Sequence, residues 1–268
     1  RNFRQQMVGA LLLAERPRHQ LLHLKLSELS RQRGEMSYVA RLTSALDEGR
    51  FVLYQQRVAP LQSGARGGEH MEILLRLVGE DGGHILPGAF IPAAERYGLM
   101  PRIDRWVIGE VFSRFAALQR SIPGPVEMVA INLSGVSVGD EATIDFIIEQ
   151  ARRHAIPAGR ICFELTETAA VNNLQTAIGA MRRLKACGFH LAIDDFGSGF
   201  TSFAFLKALQ VDYVKIDGSY VKGMVEDRVD RAMVTAICQI ASVIGVKTIA
   251  EWVETSALAA ELRGIGID

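Results

Sequence analysis

Beyond Ser37 the chain alternates between short runs rich in Val, Ile, Leu and Phe and longer stretches whose apolar residues recur with a helical period. A helix predicted over Tyr38–Glu48 is stopped by Gly49, and a strand is predicted at Phe51–Val58. Further strands are predicted at Met71–Leu77, Val126–Leu133, Ile161–Leu165, His190–Ile193, Val211–Ile216 and Lys247–Ala250. Helical patterns fall at Ile103–Leu118, Ile144–His154, Leu174–Cys187, Phe203–Leu209 and Val229–Ile244, with Thr255–Arg263 after the last strand. Strands regularly separated by helices predict a parallel sheet built through crossover connections.

Seven strands are one short of a (β/α)8 barrel, and an eighth would begin where the sequence reaches Gly266, Ile267 and Asp268. The expectation is therefore an α/β, TIM-like barrel over residues 37–268 whose eighth strand is missing or truncated. Glycines at Gly64, Gly67 and Gly68 mark a hairpin turn between the first two strands, so the first pair is expected to be antiparallel and the barrel a variant one. Ahead of it, residues 1–36 carry Leu21, Leu22, Leu24, Leu26 and Leu29 among His, Lys and Arg. That pattern predicts a solvated helical linker from an upstream domain, in preference to a membrane-surface or calmodulin-like helix.

A chain of 268 residues with 49% apolar content suits one large domain better than two small ones. Basic and acidic residues balance at 30 each, so no global field recruits a DNA or RNA polymer or an acidic membrane. Charge-driven function must then be local. Cys162, Cys187 and Cys238 are scattered and odd in number, which predicts reduced thiols and argues against a zinc cluster. The apolar run Met7–Ala14 is too short to span a bilayer. A cytoplasmic domain is expected, within a parent chain that could be anchored to the inner membrane.

Polar residues gather toward the C-terminal ends of the predicted strands: Glu164, Asp194, Asp195, Asp217 and Glu251, with Asn132 and Lys215 in equivalent places and Glu72 within a strand. In a barrel that end of the strands carries the active site. So many carboxylates in one pocket raise one another's pKa, and a lone lysine is insufficient counter-charge. Divalent cations answer that need, and an all-oxygen donor set favours magnesium or manganese over zinc. Each acid taken singly could instead cap a helix or pair at the surface. Recurrence at strand end after strand end favours the shared site. The segment Asp194-Asp195-Phe196-Gly197 contains a kinase-like Asp-Phe-Gly, but the chain lacks the kinase signature's glycine-rich loop, its strand-lysine motif and its catalytic loop. The six histidines show neither metal spacing nor a triad context.

Several stretches, in order, resemble the EAL-type phosphodiesterases that hydrolyse bacterial cyclic di-GMP: Tyr54-Gln55-Gln56, Glu72-Ile73-Leu74-Leu75-Arg76, Phe90 to Glu95, Asn132-Leu133-Ser134, Glu164 to Glu167, Asp194 to Gly199, Lys215-Ile216-Asp217 and Ile249-Ala250-Glu251. The similarity covers Tyr38 to Asp268. It implies two divalent cations, one held by Glu72, Asn132, Glu164 and Asp194, the other by Asp194, Asp195 and Glu251. Lys215 would contact the attacking water and Asp217 would orient that neighbourhood, giving catalytic roles to Lys215, Asp217 and Glu251. Gln55 and Arg76 would bind substrate, Glu167 would anchor the loop Phe196 to Ser202, and Glu254 would support the ligands from outside. The product would be linear pGpG, and the resemblance also implies a homodimer and an upstream diguanylate-cyclase-like or sensor domain.

The sequence departs from the family pattern at Ile73, where Ala is usual, at Gln56, where Pro is usual after Tyr-Gln, and at Trp252, where Gly is usual. The family's C-terminal Gln-Gly motif falls past Asp268. Retention of every expected ligand favours a hydrolase over a catalytically inactive cyclic di-GMP receptor, and either over a protein scaffold.

Overall fold

The computed structural model describes residues 38–62, 68–122, 124–172, 174–197 and 203–268. The expected linker helix of residues 1–36 and most of the Gly64–Gly68 turn lie outside them.

Helix α1 (residues 38–47) leads into strands β1 (Phe51–Val58), β2 (Glu69–Val78) and β3 (His84–Ile85). Then come α2 (Pro87–Arg96), α3 (Met100–Ser121), β4 (Val126–Asn132), α4 (Gly135–Val138), α5 (Glu141–Arg153), β5 (Ile161–Thr166), α6 (Glu167–Asn172) and α7 (Leu174–Ala186). The remainder is β6 (His190–Phe196), α8 (Phe203–Leu209), β7 (Tyr213–Ile216), α9 (Gly218–Gly223), α10 (Arg228–Ile244), β8 (Lys247–Ala250) and α11 (Ser256–Ile265).

The sheet runs β1-β2-β4-β5-β6-β7-β8, with the short β3 added beside β2. β1 and β2 pair antiparallel, as their glycine-rich connection predicts, and every later neighbour on that path is parallel. β1 and β8 stand at the two ends of this curled barrel sheet. Asp268 lies between them: its carbonyl accepts from Leu61 N at 2.8 Å and Gln62 N at 3.3 Å, while its carboxylate accepts from Thr248 N at 2.9 Å. The seven strands of the path are those expected. No helix among the described residues is long and apolar enough to cross a membrane.

Alternation along the strands sorts side chains into two layers. Ile73, Val129, Ile131, Phe163, Leu165, Leu191, Ile193, Val214 and Ile216 belong to the large core that also takes in helical residues such as Ile103, Ile108, Phe112, Met181 and Val234. On the other face Met128, Ala130, Cys162 and Ala192 form a separate buried cluster with Tyr213 against it. These are mostly small residues, as the narrow inside of a barrel requires. Two residues further along the same strands stand Asn132, Glu164, Asp194 and Lys215, so the apolar floor is succeeded by a polar layer.

Several boundaries differ from expectation for identifiable reasons. β6 extends to Phe196 instead of ending at Ile193, because its pairing with β7 breaks register between Ile193 and Phe196 and then resumes. Helix α2 lies where the sequence pattern predicts no element; Pro87 opens it, a position in the first helical turn where proline is well placed. Helix α9 is only six residues long and is started by Asp217, whose carboxylate accepts from Ser219 N at 2.7 Å. The three cysteines are all free, with Cys187 exposed.

Candidate active site

The polar layer converges on Lys215. Its side chain is 3% exposed, and Nζ lies 2.9 Å from Glu164 Oε2, 2.9 Å from Glu251 Oε1, 3.0 Å from Asp194 Oδ1 and 3.3 Å from Glu72 Oε2. These carboxylates come from β5, the end of β8, β6 and β2, and only barrel curvature brings such distant stretches together. Asn132, at the end of β4, donates Nδ2 to Glu72 Oε1 at 2.8 Å. Asp195 follows through a bulge: its φ is +53°, its N–H donates to Asp194 Oδ1 at 3.0 Å, and the break in register re-aims the side chain. Oxygens of Asp194, Asp195 and Glu251 all lie within 4.8 Å of one another.

Negative charge outweighs the single ammonium, and the protonation behaviour follows. Burial pushes Glu164 up to about 8; Lys215 pulls against that, while Glu72 and Asp194 add to it. Glu251 is raised to about 7, again chiefly by burial, with Asp194 and Asp195 reinforcing the rise against Lys215. Burial also raises Asp195, helped by Asp194 and Asp217. For Lys215, burial disfavours the cation, but Glu164, Asp194, Glu72 and Glu251 more than reverse this and hold its pKa well above the usual lysine value. The cluster therefore attracts cations.

Around it, Glu167 is 1% exposed and accepts from Gly197 N at 2.8 Å. Tyr220 Oη donates to Gly197 O at 2.7 Å, so the root of the β6–α8 connection is held from both sides. Gly197 has φ +99°, and a Cβ there would stand 2.9 Å from the Tyr220 ring. Arg76 Nη1 donates to Leu75 O at 2.8 Å, and the guanidinium carbon lies 5.8 Å from the Tyr54 ring centroid. Asp217 caps α9 and also faces Asp195. Glu254 is exposed and makes no hydrogen bond or ion pair among the described residues.

Gln55 requires a correction. Opposed residues of an antiparallel pair project to the same side, and Gln55 is opposite Ile73, which packs into the helix-side core; Gln56 is the residue opposite Glu72. Gln56, not Gln55, shares the face of the acidic cluster.

Two supporting groups lie outside the residues that the sequence pattern points to. Asp104 on α3 is 5% exposed and accepts from Ser134 N at 3.0 Å and Ser134 Oγ at 2.7 Å, which fixes the turn just beyond Asn132. A lone acid among Ile103, Val107, Ile108 and Val111 on one helix face was the available signal. Tyr220 left none, because its role depends on where the short α9 lands.

Residues 39–268 match the EAL domain family. Cyclic di-GMP phosphodiesterase PdeB of Shewanella oneidensis is 38% identical over 244 residues, a match covering 90% of this chain and 28% of that protein. Cyclic di-GMP phosphodiesterase PdeF of Escherichia coli is 34% identical over 234 residues, covering 87% of this chain and 30% of PdeF. The chain thus spans 28% and 30% of the length of these two curated relatives. Among solved structures, the PaMucR phosphodiesterase in complex with c-di-GMP is similar with a TM-score of 0.78 and 29% identity, covering 87% of this chain and 93% of that one. The FimX EAL domain from Pseudomonas aeruginosa bound to c-di-GMP gives a TM-score of 0.78 at 26% identity, covering 86% and 91%. A match through almost every described element, with relatives agreeing in sequence and in shape, shows that the chain belongs to the EAL domain family.

Proposed function

We propose that this domain hydrolyses one phosphodiester bond of cyclic di-GMP, releasing linear pGpG. The observation that carries the proposal is the buried Lys215 ammonium ringed by four carboxylates, three from separate strands and one directly after a fourth, in a chain whose curated relatives include cyclic di-GMP phosphodiesterases.

The donor chemistry fits divalent metal. All ligand atoms offered are oxygens, three acids have oxygens within 4.8 Å of one another, and burial leaves Glu164 and Glu251 short of compensating positive charge. Glu72, Asn132, Glu164 and Asp194 would hold one magnesium or manganese ion, and Asp194, Asp195 and Glu251 a second. Bound there, such ions supply an activated water and charge stabilisation at phosphorus.

The chain's own groups do the rest. Lys215, fixed by its carboxylates, hydrogen-bonds the attacking water and offsets charge gathering on the phosphate. Arg76 offers a guanidinium fork to a phosphate oxygen. Gln56 replaces Gln55 as the amide facing the substrate. Asp217 holds the start of α9 beside Asp195. Water adds across one P–O3′ bond: the new P–O bond leaves a 5′-phosphate, and the departing 3′ oxygen takes a proton.

Incubation with cyclic di-GMP and magnesium or manganese, followed by chromatography, tests this reading. pGpG is the expected product. Tight, saturable binding with no product would instead assign the domain as a receptor.

A further inference from the structure

We propose that the indole of Trp252 is a stacking platform for a guanine base of the substrate, and so a determinant of substrate affinity. The inference rests on the cyclic di-GMP reading above.

Trp252 directly follows Glu251, whose carboxylate is 2.9 Å from Lys215 Nζ, so the indole is rooted one residue from the acidic cluster. Its backbone has φ +55°. A bulky aromatic is disfavoured in that region, and glycine adopts it freely. Strained backbone of this kind recurs at ligand-binding positions, where surrounding contacts hold it in place.

Those contacts are supplied by α9. The indole rests on Gly218 so closely that a Cβ there would fall 2.0 Å from Trp252 Cδ1. One helical turn later, Lys222 Nζ stands 3.4 Å from the ring centroid, a cation–π contact that fixes the ring's orientation. Helix α9 is itself started by Asp217, two residues beyond Lys215, so the support of the indole is tied to the strand that carries the ammonium.

An aromatic held this firmly ordinarily covers core, yet Trp252 remains 56% exposed. Trp106 shows the contrast, packing 5.8 Å from the Phe51 ring inside the partly covered shell. A strained, pre-oriented and exposed indole adds little to folding. Beside a site for a nucleotide's phosphate, it offers a flat surface to the base attached to that phosphate. Base stacking on aromatic side chains is strong enough to change affinity by roughly tenfold or more.

The test combines steady-state kinetics with intrinsic fluorescence, using cyclic di-GMP as the probe and the variants Trp252→Ala, Trp252→Gly and Trp252→Phe. Trp252→Gly relieves the backbone strain and serves if Trp252→Ala folds poorly by circular dichroism. Expected results are a saturable quench in the unaltered domain that the Ala and Gly variants lose, and a KM raised roughly tenfold in both with kcat within about twofold. Trp252→Phe should keep KM within about threefold of the original. An unchanged KM and quench in Trp252→Gly, with turnover intact, would overturn the platform and leave the phosphodiesterase reading standing. If the unaltered domain shows no turnover but keeps a quench that Trp252→Gly loses, the platform stands and the proposed reaction falls.

Discussion

Lys215 occupies the position on which the other site residues depend. Removing its charge would leave four carboxylates, two of them almost fully buried, without their shared partner. Lys215→Met should therefore lower the stability of the metal-free domain by about 3 kcal/mol or more, measured by urea denaturation in a chelator. It should also reduce cyclic di-GMP turnover by roughly 100-fold or more. A variant as stable as the original would contradict the electrostatic account of the cluster. At this scale most of the acids were legible, because Glu164, Asp194 and Glu251 each follow directly on an apolar run, whereas Glu72 stands ahead of one. The arrangement around the lysine was not, since four remote contacts to one ammonium leave no mark on local spacing. Gln55 and Gln56 show the sharpest limit: a shift of one residue along β1 moves the side chain to the opposite face of the sheet, and only the register with β2 decides which faces Glu72.

Elements hold the site through their ends. Helix α3 reaches the turn after β4 through Asp104, whose carboxyl burial pushes up to about 6 against hydrogen bonds from Ser137 and Ser134. The unfolded chain loses this proton near the ordinary aspartate value, whereas the folded state keeps it until about pH 6. Stability from this group is therefore highest below about pH 4 and falls as pH rises through that window. The fall is about 3 kcal/mol for a shift of this size, so the loss of stability between pH 4 and pH 7, measured by urea denaturation, should be smaller by about that amount in Asp104→Asn than in the unaltered domain. The connection after β6 depends on Gly197, which combines φ +99° with the close Tyr220 ring. Gly197→Ala should lower stability by about 1–2 kcal/mol in the same assay, and an unchanged midpoint would refute the fit described here. Most elements were legible because their periods are long and clean. The end of β6 was not legible, because adjacent acids at Asp194 and Asp195 mark a strand end in sequence, whereas a bulge carries them within a continuing strand.

Across the whole molecule, one alternation of side chains makes both the core and the site. Outward residues seal the sheet against helices, small inward residues form the floor, and the next inward residues carry the charge. The barrel was legible from strand–helix alternation, and the antiparallel opening from the glycines between β1 and β2. The contacts of Asp268 with Leu61 and Gln62 were not, because they join stretches about two hundred residues apart in sequence. Acids drawn together from remote strands should then act as one cation site. The decisive measurement is calorimetric titration of manganese into the chelator-stripped domain, beside Glu72→Gln and Asp194→Asn. Saturable binding by the unaltered domain and a loss of affinity of at least tenfold in each variant are expected, with both variants folded by circular dichroism. Equal manganese affinity in all three proteins, or no saturable binding by the unaltered domain, would contradict such a site.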